Sequence, residues 1–232
     1  MITLGGIDAY EVGNREAGKA ILVFPDLWGW DSGRTRGVCD ALAKETGAYV
    51  LAPGVVRSWW WMSAGPTGFT MPLFAFWAYM YAGASATNPQ FTQHVEPHLQ
   101  KLGITKYAVT GFCLGCMNAV NSAAVAKTKP AAAFLFHPSF QAFGRLGSPE
   151  MASALKDMRA PTLIFASKND PDVVQEGGEA QKAIREAGVE CTVKRVEQAH
   201  GWMNRGDVSE PSMKKDVQDA LDATVAFLKD KL

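Results

Sequence analysis

The sequence predicts an α/β protein with a mostly parallel, doubly wound sheet and helices on both faces. Two observations carry this expectation. Apolar runs of strand length alternate with longer amphipathic stretches along the chain, and strands alternating with helices close into parallel sheets through right-handed crossovers. No internal repeat, low-complexity tract or linker breaks the alternation, so residues 1–232 are expected to form a single domain.

Taken in order, AILVFP at 20–25 reads as a buried strand. Residues 35–46 read as a helix, because VCDALAKE sets its apolar side chains at helical spacing. AYVLAP at 48–53 is a second strand, ended by proline, and residues 90–102 look helical despite Pro97. The strand KYAVTGF at 106–112 runs directly into GFCLGC, and a helix of small residues is expected over 118–127. The beat then repeats as strand 131–136, helix 150–158, strand 161–167, helix 173–187 and strand 190–197. A closing helix runs from about 212 to 231, with Asp216, Asp219 and Asp222 on its polar side.

Composition excludes several classes. Lys plus Arg total 23 and Asp plus Glu total 23, for a formal net charge of zero; no long basic run is present, which argues against nucleic acid as a partner. Four cysteines are too few for a disulfide scaffold and point to a reducing, cytoplasmic setting. The N-terminal stretch lacks a basic segment followed by an apolar run, so no signal peptide is expected. From Ser58 to Gln93 the chain carries no Asp, Glu, Lys or Arg. That length approaches a membrane span, but Pro72, the Gly83-Ala-Ser tail and the absence of flanking basic residues argue for a buried or substrate-facing segment. The oligomeric state is left open.

In open parallel sheets, ligands bind beyond the carboxyl ends of the strands, so the residues that follow each strand are the candidates. GFCLGC (111–116) supports two readings. Gly111-x-Cys113-x-Gly115 between a strand and a helix is the pattern that lifts a nucleophile onto a sharp turn, where neighbours two positions away must be small. The helix N-terminus behind Cys113 favours a thiolate. Cys113-x-x-Cys116 is also the spacing of a redox dithiol. The first reading needs a base and a group to orient it. His200 lies after the strand 190–197 and Asp170 after the strand 161–167, with Asp172 a second choice for the acid. The order Cys113, Asp170, His200 is nucleophile, acid, histidine, that of the α/β-hydrolase fold. His137 also follows a strand and is either a pocket residue or structural. Gly5-Gly6 and Gly177-Gly178 lack the spacing and context of a phosphate loop, so no cofactor is expected. His94 and His98 have no evident third ligand, so no metal is expected.

These residues resemble the dienelactone hydrolase family, and the eukaryotic-type branch of it more than the bacterial chlorocatechol-pathway enzymes. The motifs are GFCLG around Cys113, KNDPD around Asp170, HGWMNRGD from His200, HPSF from His137, and FPDLWGWDSGRTRGVCDALAKETGAYVLAP near the N-terminus. The resemblance implies hydrolysis of a small-molecule ester or lactone, with the backbone N–H groups of Leu27 and Leu114 as the oxyanion hole. It implies a carboxylate in the Leu27 loop paired with the resting thiol; Asp26 stands there, one methylene shorter than the usual Glu. Trp28, Arg57, His137, Trp202 and Arg205 join Asp26 as substrate-binding candidates. Cys116 stands where the family usually has glycine and is a candidate redox partner for Cys113. The uncharged aromatic stretch from Trp59 to Tyr81 suggests an apolar substrate. Two alternatives stay open: a non-catalytic binding protein on the same fold, and a thiol redox protein using Cys113 and Cys116.

Overall fold

In the computed structural model, residues 1–54, 83–142, 145–146 and 149–232 are described. Arg57 and the stretch from Trp59 to Tyr81 lie outside them.

Among the described residues, eight strands form one sheet: β1 (Ile2–Leu4), β2 (Ile7–Val12), β3 (Lys19–Phe24), β4 (Tyr49–Pro53), β5 (Lys106–Phe112), β6 (Ala132–Phe136), β9 (Thr162–Ser167) and β10 (Cys191–Val196). The short strands β7 (Gln141–Ala142) and β8 (Arg145–Leu146) pair separately. The order is β1-β2-β4-β3-β5-β6-β9-β10. From β4 to β10 every pairing is parallel, while β1–β2 and β2–β4 are antiparallel. The N-terminal pair was not anticipated from the sequence. Gly5 and Gly6 both have positive φ, 57° and 85°, and form the two-residue turn that joins β1 to β2.

The parallel strands are apolar throughout because both faces are covered. In β3, Ala20, Leu22 and Phe24 enter one core while Ile21 and Val23 enter the other. The first core packs under α4 (Gly115–Val125), α5 (Pro149–Asp157) and α6 (Glu179–Glu186), together with the helical stretch of α2 (Ala84–Gln90), a π-turn (Phe91–Val95) and α3 (Glu96–Lys101). The second packs under α1 (Thr35–Thr46) and the closing α8 (Pro211–Leu228). The helix expected over 173–187 is split. A 3₁₀ turn, Asp172–Val174, precedes Gly177 (φ 76°) and Gly178, where a Cβ would strike the Asp172 carbonyl oxygen.

Strand order reverses between β3 and β5, so the crevice at their carboxyl ends is the topological switch point where such sheets bind ligands. Beneath it lies a phenylalanine ladder. Phe112, Phe136 and Phe165 are register partners on adjacent strands and stack at 5.3 and 5.0 Å. Trp202, on the short helix α7 (Trp202–Arg205), meets Phe136 edge-on. Full burial of each such ring contributes on the order of 2–3 kcal/mol, giving the residues above a rigid floor.

Candidate active site

β5 delivers Cys113 to that crevice in the left-handed conformation, φ 55°. A non-glycine residue there carries about 1–3 kcal/mol of strain and persists only where its surroundings hold it. The hold is visible: Cys113 N–H donates to Phe136 O at 3.1 Å, and its carbonyl accepts from Ser139 N–H at 3.1 Å and Cys116 N–H at 3.2 Å. The flanking glycines are required sterically. A Cβ on Gly111 would collide with the Gly115 backbone, and one on Gly115 with the carbonyls of Phe24 and Pro25.

Asp170, in the loop after β9, is buried and fixed on both oxygens. Its Oδ2 accepts from Ser167 N–H at 2.7 Å, and its Oδ1 lies 2.6 Å from Nδ1 of His200. Asn169 holds the histidine loop by accepting from His200 N–H at 2.9 Å. The His200 side chain is about one-third exposed, 32%. Burial pulls its pKa down, but hydrogen bonds to Asp170 and Cys113, and their charges, more than offset this and raise it to about 10. The ring thus stands between the Asp170 carboxylate and the Cys113 sulfur, both of which favour its protonated form. Asp172, the second choice for the acid, begins the 3₁₀ turn.

Asp26 follows β3 and is equally buried, but it faces other partners. Its Oδ1 accepts from Trp28 N–H and its Oδ2 from Asn204 Nδ2, both at 2.9 Å, with Arg205 Nη1 at 3.5 Å from Oδ2. Burial raises its pKa against the opposing pull of these bonds. Asn204 also anchors Arg34 N–H through its carbonyl at 2.7 Å, and Arg34 donates to the carbonyls of Trp202, Met203 and Gly206. The Asp26 loop is thus braced against the histidine loop.

The remaining candidates separate by position. Leu27 and Leu114 flank the crevice, and among the described residues their N–H groups donate to no protein acceptor. Trp28 is half-buried under the Arg205 guanidinium, 5.1 Å from the ring centre, and Arg205 donates to Ser32 Oγ at 2.7 Å. Trp202 and His137 are fully buried and form a wall behind the histidine rather than an exposed face. His137 (φ 40°) packs edge-on to His200 at 4.8 Å. Burial, then the neighbouring His200 charge, holds its pKa well below the usual range. Cys116 is a free thiol in the core, hydrogen-bonded to the carbonyl of Gly111 at 3.1 Å. Burial, then the charge of Cys113, pushes it well above the ordinary thiol range.

Sequence reasoning singled out none of Ser139, Asn169 and Asn204. Ser139 lies within the HPSF motif, 3.3 Å by its Oγ from Cys113 Sγ, and its position three residues past a strand end was the available signal.

A strand-to-helix elbow at the switch point, with an aspartate–histidine pair on the next loops, defines an α/β-hydrolase. Solved structures of that fold superpose on the chain. A dienelactone hydrolase candidate from Klebsiella pneumoniae has TM-score 0.65 and 18% identity over 95% of this chain and 91% of its own. The esterase Pf2001 of Pyrococcus furiosus has 0.63 and 14% over 99% and 90%, and esterase PE8 has 0.62 and 16% over 100% of both. No curated protein gives a match. The model of the dienelactone hydrolase family matches residues 7–232, and the chain belongs to that family. It is accordingly a carboxylic ester hydrolase of dienelactone hydrolase type. Among the described residues, no helix is long and apolar enough to cross a membrane.

Proposed function

We propose that this chain is a cysteine-dependent hydrolase of small esters or lactones, with Cys113 as nucleophile, His200 as proton carrier and Asp170 as its anchor. The observation that carries the reading is the 2.6 Å contact of Asp170 Oδ1 with His200 Nδ1 beside a cysteine held at φ 55°.

The Cys113 thiolate attacks the acyl carbon, and the carbonyl electrons move onto oxygen. That oxyanion is held by the N–H groups of Leu27 and Leu114. Collapse expels the alkoxide, which takes a proton from the imidazolium of His200 and leaves a thioester on Cys113. Neutral His200 then removes a proton from water. The hydroxide adds to the thioester, and the second collapse releases the carboxylic acid and the thiolate, with the imidazolium restored. Asp170 keeps Nδ1 protonated and directs Nε2 to the reacting atoms throughout.

The substrate is a neutral ester or lactone rather than a carboxylate-bearing one. Arg205, the described arginine placed nearest to that role by the family resemblance, is engaged by Ser32, Asp26 and the face of Trp28. A guanidinium so committed is a poor clamp for a substrate carboxylate.

The test is turnover of neutral and carboxylate-bearing p-nitrophenyl esters by the native protein and by Cys113→Ala. Loss of about 10³-fold or more in kcat/KM is expected for the variant, with neutral esters preferred by the native enzyme. Full activity in Cys113→Ala would remove the nucleophile assignment, and a strong preference for the anionic esters would remove the substrate class.

A further inference from the structure

Ser139 reaches the sulfur by a route that the backbone dictates. Phe112 and Phe136 are register partners at the ends of β5 and β6, and the pairing continues past both strands through Cys113 N–H to Phe136 O at 3.1 Å. His137 N–H donates to Phe165 O at 2.8 Å, and its φ of 40° turns the chain back toward the elbow. Ser139 N–H then donates to Cys113 O at 3.1 Å. Three main-chain hydrogen bonds therefore fix where the hydroxyl can be, and Oγ lands 3.3 Å from Sγ. Among the described residues Ser139 Oγ has no other hydrogen-bond partner.

Asp26, the carboxylate that the family resemblance places on the resting thiol, is engaged elsewhere, with Trp28 N–H on one oxygen and Asn204 on the other. A hydroxyl also suits a charged sulfur better than a carboxylate does. It rotates to donate, and it adds no negative charge beside an anion.

We propose that Ser139 is a positioning residue for the nucleophile: its hydroxyl donates a hydrogen bond to the Cys113 thiolate, raising the thiolate population and aiming the sulfur into the crevice. The inference rests on the reading of Cys113 as nucleophile. The bond weakens as charge passes from sulfur to the carbonyl oxygen and re-forms when the thiolate leaves in the second collapse. Ser139 thus favours the resting enzyme and the release of product.

The experiment compares Ser139→Val with Ser139→Thr, side chains of one shape that differ in the hydroxyl. Alkylation by iodoacetamide, in which the sulfur displaces iodide, is followed across pH. Cys39, Cys116 and Cys191 are buried, and Cys113→Ala supplies the blank. The pH of half-maximal alkylation should rise by about one unit in Ser139→Val, with about tenfold slower reaction below it, and Ser139→Thr should restore it. Equal midpoints in the two variants would overturn the proposal, as would a native midpoint in Ser139→Val. Ser139→Ala is measured alongside, with folding checked by circular dichroism, so that a hydroxyl-free protein is compared even if the larger side chain disrupts the turn. Alkylation needs no ester turnover, so the two readings fail separately. A shifted midpoint in a protein that hydrolyses no ester would sink the proposed function alone, and normal hydrolysis with no shift would sink this one alone.

Discussion

Two buried aspartates stand at the carboxyl ends of the sheet, Asp170 after β9 and Asp26 after β3, and each accepts a backbone N–H from a nearby residue. They differ in what meets the other oxygen. Asp170 faces a histidine ring that titrates and opens onto the crevice, whereas Asp26 faces the Asn204 amide, which cannot carry a proton away. The same residue type in similar burial therefore meets a titratable ring in one loop and a neutral amide in the other, and the partner across the loop sets what each carboxylate can do.

That contrast can be broken most sharply by making both carboxylates neutral. Asp170→Asn leaves the shape but removes the charge that holds the imidazolium, and kcat for ester hydrolysis should fall about 10³–10⁴-fold. Asp26→Asn can keep the Trp28 N–H contact through its own carbonyl, and kcat should fall less than about tenfold. Comparable losses in the two variants, measured on one ester, would erase the distinction.

A smaller effect tests the bracing role directly. Asn204→Ala leaves one oxygen of buried Asp26 short of its amide donor and should lower stability by about 1–3 kcal/mol in urea unfolding. It should leave the identity of the nucleophile, read by alkylation of Cys113, unchanged. Stability equal to that of the native protein would mean that the bond does not brace the loops.

A further effect is in pH. The folded-state pKa of His200 is raised from 6.5 to about 10, so its stabilising contribution is fully present below about 6.5 and is lost as pH rises toward 10. The difference in melting temperature between the native protein and His200→Gln should therefore shrink across that window. A difference that grows with pH would show that the folded protein does not hold the ring as a cation.

Much of this was legible in the sequence, and for local reasons. Helix Thr35–Thr46 and strand Lys106–Phe112 stand where periodicity put them, because apolar spacing reports which faces are buried. The N-terminal hairpin is not legible in the sequence because β1 is three residues long, too short for alternation to show. The pattern over 173–187 overstates its helix because apolar spacing continues across Gly177 and Gly178, whose backbone geometry stops it.

By itself the sequence determined the α/β alternation and the elbow glycines around Cys113, since each depends on neighbours a few residues apart. The tertiary structure alone decided that Asp26 meets Asn204, that His137 lies against His200, and that Ser139 Oγ meets Cys113 Sγ. Those pairs are far apart along the chain, and no local pattern encodes them. Strand register and the turn at His137 bring them together, and only there does a side chain acquire the partner that sets its chemistry.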